Sequence, residues 1–141
     1  MSFMPAPPKQ PVLSVHPDKH IIRLTGEDVR DFLNDILTAQ INTLASDTAR
    51  AACLLSPQGR ILFDMLVVAT ADTVFLITEA EQAAPLAKRL TMYRLRRKIE
   101  ITVSSNLCAG HIWGTDHGDF ILPDSCISAH DERHKDLGSL V

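Results

Sequence analysis

A chain of 141 residues with ordinary apolar content and a net charge of −3 can bury one core of normal size. The composition excludes a disordered, fibrous or collagen-like chain. No apolar run approaches the roughly 20 residues needed to cross a bilayer, so no membrane span is expected.

Residues 1–11 are rich in Pro and lack the apolar centre of a signal peptide, which reads as a disordered lead-in. Val12–Val15 and His20–Thr25 read as two short strands around the turn His16-Pro17-Asp18-Lys19. Val29, Phe32, Leu33, Ile36 and Leu37 then recur on one helical face. Thr25 is the expected N-cap, and Glu27 and Asp28 suit the positive end of that helix. Thr38–Thr48 is polar and loop-like apart from Ile41 and Leu44.

Ser56-Pro57-Gln58-Gly59 lies between two apolar runs, and the whole reading turns on it. Pro57 suits the second position of a β-turn, and Gly59 can take the positive φ that follows. Ala51–Leu55 and Ile61–Thr70 are therefore predicted to be antiparallel neighbours. Asp64 is a carboxylate within Ile61-Leu62-Phe63-Asp64-Met65-Leu66-Val67-Val68. Buried, it would need a partner or a use; on the outward side of the pleat it would simply be solvated.

Thr73–Ile77 is a third strand, followed by Thr78-Glu79-Ala80-Glu81, which has the form of a capping box. The next helix would bury Ala83, Leu86, Ala87 and Leu90 and run to Tyr93. Pro85 would make it start late or kink. Lys98–Val103 and Leu107–Trp113 read as strands, then a turn at 114–118 and a short run at 120–122. The result is an α+β fold with a largely antiparallel sheet and flanking helices. The end, His130 to Gly138, is polar, and Ser139-Leu140-Val141 looks like the start of another strand.

Six of the fourteen basic residues fall within positions 88–98: Lys88, Arg89, Arg94, Arg96, Arg97 and Lys98. With an acidic chain and no interleaved aromatic but Tyr93, a solvated helix end is the simpler reading, and DNA is not an expected partner. An anionic tail on a ligand is the intermediate alternative. His130 and His134 have helical metal-ligand spacing without a third ligand, so no metal site is expected. Cys53, Cys108 and Cys126 share no metal spacing. Three buried, reduced thiols in a cytoplasmic protein are expected.

Three segments in this order resemble a known family: Leu24-Thr25-Gly26-Glu27-Asp28-Val29-Arg30-Asp31-Phe32-Leu33, Leu54-Leu55-Ser56-Pro57-Gln58-Gly59-Arg60-Ile61-Leu62-Phe63-Asp64, and Tyr93-Arg94-Leu95-Arg96-Arg97-Lys98-Ile99. Together they look like the N-terminal portion of the folate-binding YgfZ proteins, in the superfamily of the glycine-cleavage T-protein, an aminomethyltransferase. Asp131-x-Arg133 followed by Leu137-Gly138 resembles the family's next landmark. The resemblance implies an incomplete first T-protein-like subdomain at 12–48, a ferredoxin-like middle subdomain at 49–130 and a truncated return segment at 131–141. It implies a tetrahydrofolate-binding accessory protein for iron–sulfur cluster assembly or repair, with folate and iron–sulfur apoproteins as partners.

Asp64 matches the aspartate that aminomethyltransferases carry beside the reactive folate nitrogens, and Glu79 stands near the position of a folate-holding asparagine. Both are thereby candidate folate contacts. The family's Lys-Gly-Cys-Tyr-x-Gly-Gln-Glu motif is expected beyond Val141, and none of the three cysteines takes its role. A truncated chain would expose apolar surface and could self-associate. The alternatives are an aminomethyltransferase of glycine cleavage, although transferase activity is not expected of this chain, and a non-enzymatic module binding an acidic partner or RNA through the basic segment.

Overall fold

The computed structural model describes residues 12–113, 126–133 and 139–140. The lead-in at 1–11, the turn at 114–118 and the run at 120–122 lie outside the described residues. The elements in order are β1 (Val12–His16), β2 (Lys19–Thr25), α1 (Val29–Ile36), β3 (Thr48–Leu55), β4 (Ile61–Ala69), β5 (Thr73–Glu79), α2 (Ala80–Tyr93), β6 (Glu100–Ser104), β7 (Ala109–Trp113), β8 (Ala129–Asp131) and β9 (Ser139–Leu140).

The nine strands form a single sheet in the order β1-β7-β9-β8-β3-β4-β5-β2-β6. Every pairing is antiparallel except β3 with β8. Within this sheet, β2, α1, β4, β5, α2 and β6 make the split β-α-β arrangement of a ferredoxin-like unit, with β3 added beside β4. The unit draws its central strand and first helix from residues before 49. A boundary at 48/49 therefore falls inside one continuous sheet.

β2 does not form the hairpin with β1 that their closeness in sequence suggests. β1 pairs with β7 at the far end of the sheet, while β2 lies between β5 and β6. The physical reason is burial on both faces. Ile22 and Leu24 are fully buried under the helices, and Ile21 is buried on the opposite side. A strand with that pattern belongs in a sheet interior. The turn between β1 and β2 still has a task, because the Asp18 carbonyl accepts the Ala80 N–H at 2.9 Å at the start of α2.

Both helices cover one face. Phe32 and Leu33 of α1 and Leu86 and Leu90 of α2 pack on Leu24, Leu54, Val67 and Leu76. The start of α1 differs from expectation: Thr25 ends β2, and Asp28 is the N-cap without a side-chain cap bond. No capping box opens α2 either. Thr78 is a buried residue of β5 whose hydroxyl donates to the Asp64 carbonyl at 3.0 Å, and Glu79 is the uncapped N-cap. The helix begins at Ala80 and runs through Pro85, which is exposed and forgoes one backbone bond.

The polar stretch between α1 and β3 is held from within. Ile41 and Leu44 are buried, and the Arg30 guanidinium donates to the carbonyls of Ile41, Leu44 and Thr70 at 3.4, 2.9 and 3.0 Å. The Ile41 N–H donates to Asn34 Oδ1 at 2.8 Å.

Gly26 has φ +141°, and an added Cβ would lie 2.4 Å from the Lys98 carbonyl oxygen. Its missing side chain lets the Lys98–Ile99 backbone cross over the β2–α1 junction. The first and third of the family-like blocks thus touch at a point where only glycine fits.

Among the described residues the second face carries no helix. A smaller cluster there joins Ile21, Leu66, Val68 and Ile77 to Ala109 of β7 and Ala129 of β8. The sheet curls so that β7 comes close to β2 without pairing to it. That curl covers one end of the face and, among the described residues, leaves the β3–β4 hairpin end open.

Candidate functional site

The β3–β4 connection forms as its residues dictate. The Gly59 N–H donates to the Ser56 carbonyl at 2.9 Å, which closes the turn with Pro57 in the second position. Gly59 has φ +86°, and the Ser56 hydroxyl accepts the Arg60 N–H at 3.2 Å. A register shift at Leu54/Leu55 marks a bulge just before the turn, and Cys53 pairs with Asp64.

Phe63 and Met65 face the helix-side core, so Asp64 points to the opposite face. It is exposed, and among the described residues its carboxylate accepts no hydrogen bond and joins no ion pair. Of the two readings left open for Asp64, the buried one fails and the outward, solvated one holds. Pleat alternation sends Asp64 out while its neighbours Phe63 and Met65 go in. Around it on that face lie Ala51, Cys53, Leu55 and Leu62, none of them fully buried.

Glu79 shares this face. Leu66 pairs with Ile77, and Asp64 and Glu79 each lie two residues past that pair, on β4 and β5. Glu79 pairs across to Lys19 of β2, and the two side chains form an ion pair. Cys53, Asp64, Glu79 and Lys19 thus cross four strands at the open end of the sheet. Glu79 is paired with its neighbour, and among the described residues Asp64 is not paired. Cys53 is half-buried, whereas Cys108 and Cys126 are exposed, so the expectation of three buried thiols fails for the last two. Cys108 lies in the β6–β7 connection rather than inside a strand.

A second constellation escapes sequence reasoning. Asp131 of β8 is completely buried. His111 Nε2 bonds to Asp131 Oδ2 at 2.8 Å, and His111 Nδ1 bonds to His16 Nε2 at 2.8 Å. Arg133 donates to the same carboxylate from Nε at 2.9 Å and Nη2 at 2.6 Å, and its backbone N–H donates to Oδ1 at 3.1 Å. Burial alone would raise the Asp131 carboxyl, but the hydrogen bonds from His111 and Arg133 outweigh it and hold the group well below the usual carboxylate range. The His16 imidazole is lowered, first by burial and then by His111.

An ionised Asp131 only accepts, so His111 presents Nε2–H to it. The direction of the bond between His111 Nδ1 and His16 Nε2 follows the tautomer of the two rings. This chain of bonds ties β1, β7 and β8 together. The Asp-x-Arg landmark and a histidine within a strand were its visible signals.

The basic residues at 88–98 do not form the cationic helix end expected of them. The last turn of α2 contains no basic side chain. Arg94 donates to the Ile99 carbonyl at 2.7 Å, and Arg97 pairs with Asp35 at 2.8 Å. His130 lies in β8, where residues four apart do not share a helical face, and His134 lies outside the described residues. Among the described residues no cluster of three or more metal-ligating side chains occurs, and no helix is long and apolar enough to cross a membrane.

Comparison with known proteins gives the site its setting. The chain is 29% identical over 107 residues to the mouse (Mus musculus) protein named iron-sulfur cluster assembly factor IBA57, mitochondrial, covering 66% of this chain and 29% of that protein. The crystal structure of glycine cleavage system aminomethyltransferase T from Bartonella henselae superposes with a TM-score of 0.67 at 17% identity. That match covers 78% of this chain and 30% of that one, and it shows a shared fold. Residues 19–119, which span β2 through β7 and carry both Asp64 and Glu79, match the GCVT N-terminal domain, and the chain belongs to that family.

Proposed function

We propose that this chain contributes a tetrahydrofolate-binding surface to an accessory protein of iron–sulfur cluster assembly or repair. The observation that carries the reading is the Asp64 carboxylate, which among the described residues stands unpaired on an exposed, partly apolar part of the sheet within a GCVT N-terminal domain. A reduced pterin is a flat ring edged with N–H groups. It needs an apolar surface and a carboxylate acceptor, and this face offers both. Asp64 would hold and orient the pterin amines, with Cys53 and Leu62 supplying contact. Glu79, paired to Lys19, would set the charge at the margin.

The iron–sulfur part of the proposal is supported by likeness to a protein named for that process. The chain spans 29% of that relative, so the role concerns what this domain contributes, and apo forms of iron–sulfur enzymes are the partners it would serve.

Isothermal titration of tetrahydrofolate into the wild-type chain and into Asp64→Asn tests the site. Loss of one charge-assisted hydrogen bond predicts about tenfold weaker binding by the variant. Equal affinities would remove Asp64 from the site, and no binding by either protein would remove the surface.

A further inference from the structure

Leu95 has φ +51° and is the one described non-glycine residue with positive φ. It is also 84% exposed. The left-handed region costs a bulky L-residue roughly 1–2 kcal/mol, and an exposed leucine recovers none of that by burial. The turn is nonetheless firmly built. Arg94 grips the Ile99 carbonyl, and the Arg97 N–H donates to the Arg94 carbonyl at 2.9 Å. The Arg97 guanidinium reaches Asp35 at 2.8 Å and lies 5.8 Å from the centre of the Phe32 ring. Two arginine side chains and a backbone crossing at Gly26 thus fix a turn that presents Leu95 outward as an apolar knob between the exposed Arg96 and Lys98. Strain that the surroundings impose so thoroughly is a mark of function.

The knob divides two clefts. One, of about 700 Å³, is lined by Phe32, Ile36 and Tyr93 together with Arg96 and Arg97. The other, of about 600 Å³, is lined by Gly26, Lys98 and Ile99. Their walls hold four cations (Arg94, Arg96, Arg97, Lys98) against three carboxylates (Asp28, Asp35, Glu100). One of those carboxylates is spent on Arg97. Among the described residues no carboxylate lies within ion-pair distance of Arg96 or Lys98, which flank the knob.

We propose that the turn at 94–98 is a docking surface for an acidic, leucine-rich protein segment. The segment's apolar side chains straddle Leu95 and enter the two clefts, and its carboxylates meet Arg96 and Lys98. Nucleic acid fits less well. Tyr93 is half-buried, and an exposed leucine offers a base no stacking face. The inference is independent of the folate reading and uses a different part of the molecule.

The test uses fluorescein-labelled peptides built from alternating Glu and Leu pairs, with Lys–Leu and Glu–Ser peptides and oligouridylate as controls. Saturable, salt-weakened binding of the Glu–Leu peptide is expected, falling about tenfold in Leu95→Gly and in Arg96→Glu. Glycine adopts φ +51° freely, so Leu95→Gly should keep or raise the melting temperature while losing the peptide. Four results would overturn the proposal: no saturable binding of the Glu–Leu peptide, equal binding by Leu95→Gly, tighter retention of oligouridylate than of peptide, or a dimer in solution that Leu95→Gly abolishes. A lower melting temperature for Leu95→Gly would show that the turn is not strained and would remove the argument's basis.

Discussion

Replacing Asp131 by Ala removes a carboxylate that is fully buried and holds two imidazoles and a guanidinium in register. Two of the groups it leaves behind are costly. The His111 Nε2–H, on a side chain 13% exposed, and the Arg133 backbone N–H both lose their acceptor. Each stranded donor costs about 1–3 kcal/mol. The Arg133 side chain is 43% exposed and can turn to water, so its share is discounted to under about 1 kcal/mol. The sum is roughly 4–5 kcal/mol, or about 15 °C in melting temperature for a chain of this size.

Urea unfolding of wild type, Asp131→Ala, Arg133→Ala and the double variant measures this loss and the coupling within it. A loss below about 0.5 kcal/mol for Asp131→Ala would refute the reasoning.

The pH dependence follows from the same network. The folded Asp131 carboxyl is held below its ordinary value of 3.8, so the unfolded chain takes up that proton first as pH falls. Its contribution is complete above pH 3.8 and is lost below it. The folded His16 imidazole is held below 6.5, so the unfolded chain again protonates first, and stability declines as pH falls past 6.5. In both windows stability rises with pH, and His16→Phe should flatten only the upper one.

Gly26→Ala should cost about 2 kcal/mol or more, because its Cβ would meet the Lys98 carbonyl at 2.4 Å in a conformation alanine avoids. Thermal unfolding checks this, and an unchanged midpoint would contradict the backbone crossing. Arg30→Ala should cost about 1–2 kcal/mol and release the segment between α1 and β3, since one guanidinium ties the Ile41 and Leu44 carbonyls of that segment to the Thr70 carbonyl just after β4. Hydrogen exchange at Leu44 should then quicken ahead of exchange in β4, and uniform protection would contradict it.

Local chemistry made the Ser56–Gly59 turn, both helices and the fold class readable, because turn residues and apolar spacing act over a few residues. Partner choice among strands was not readable. β1 and β2 adjoin in sequence yet lie near opposite ends of the sheet, and β8 arose in a polar segment because the parallel pairing with β3 needs only Ala129 and Asp131 inward. The same limit applies to the candidate site. Asp64 stood out by composition, but its orientation depended on the pleat register of β3 and β4. The His16–His111–Asp131 chain joins residues 95 and 20 positions apart, which no local pattern reveals. Leu95 was hidden for the opposite reason: inside a run of cations it looked like an ordinary apolar spacer.

Amide NMR of the isotopically labelled chain during addition of tetrahydrofolate tests the central claim most directly. The account predicts saturating shifts concentrated on Cys53, Asp64 and Glu79 at the open end of the sheet, with the α1–α2 face silent. Shifts confined to the helix face, or a spectrum that tetrahydrofolate leaves unchanged, would contradict it.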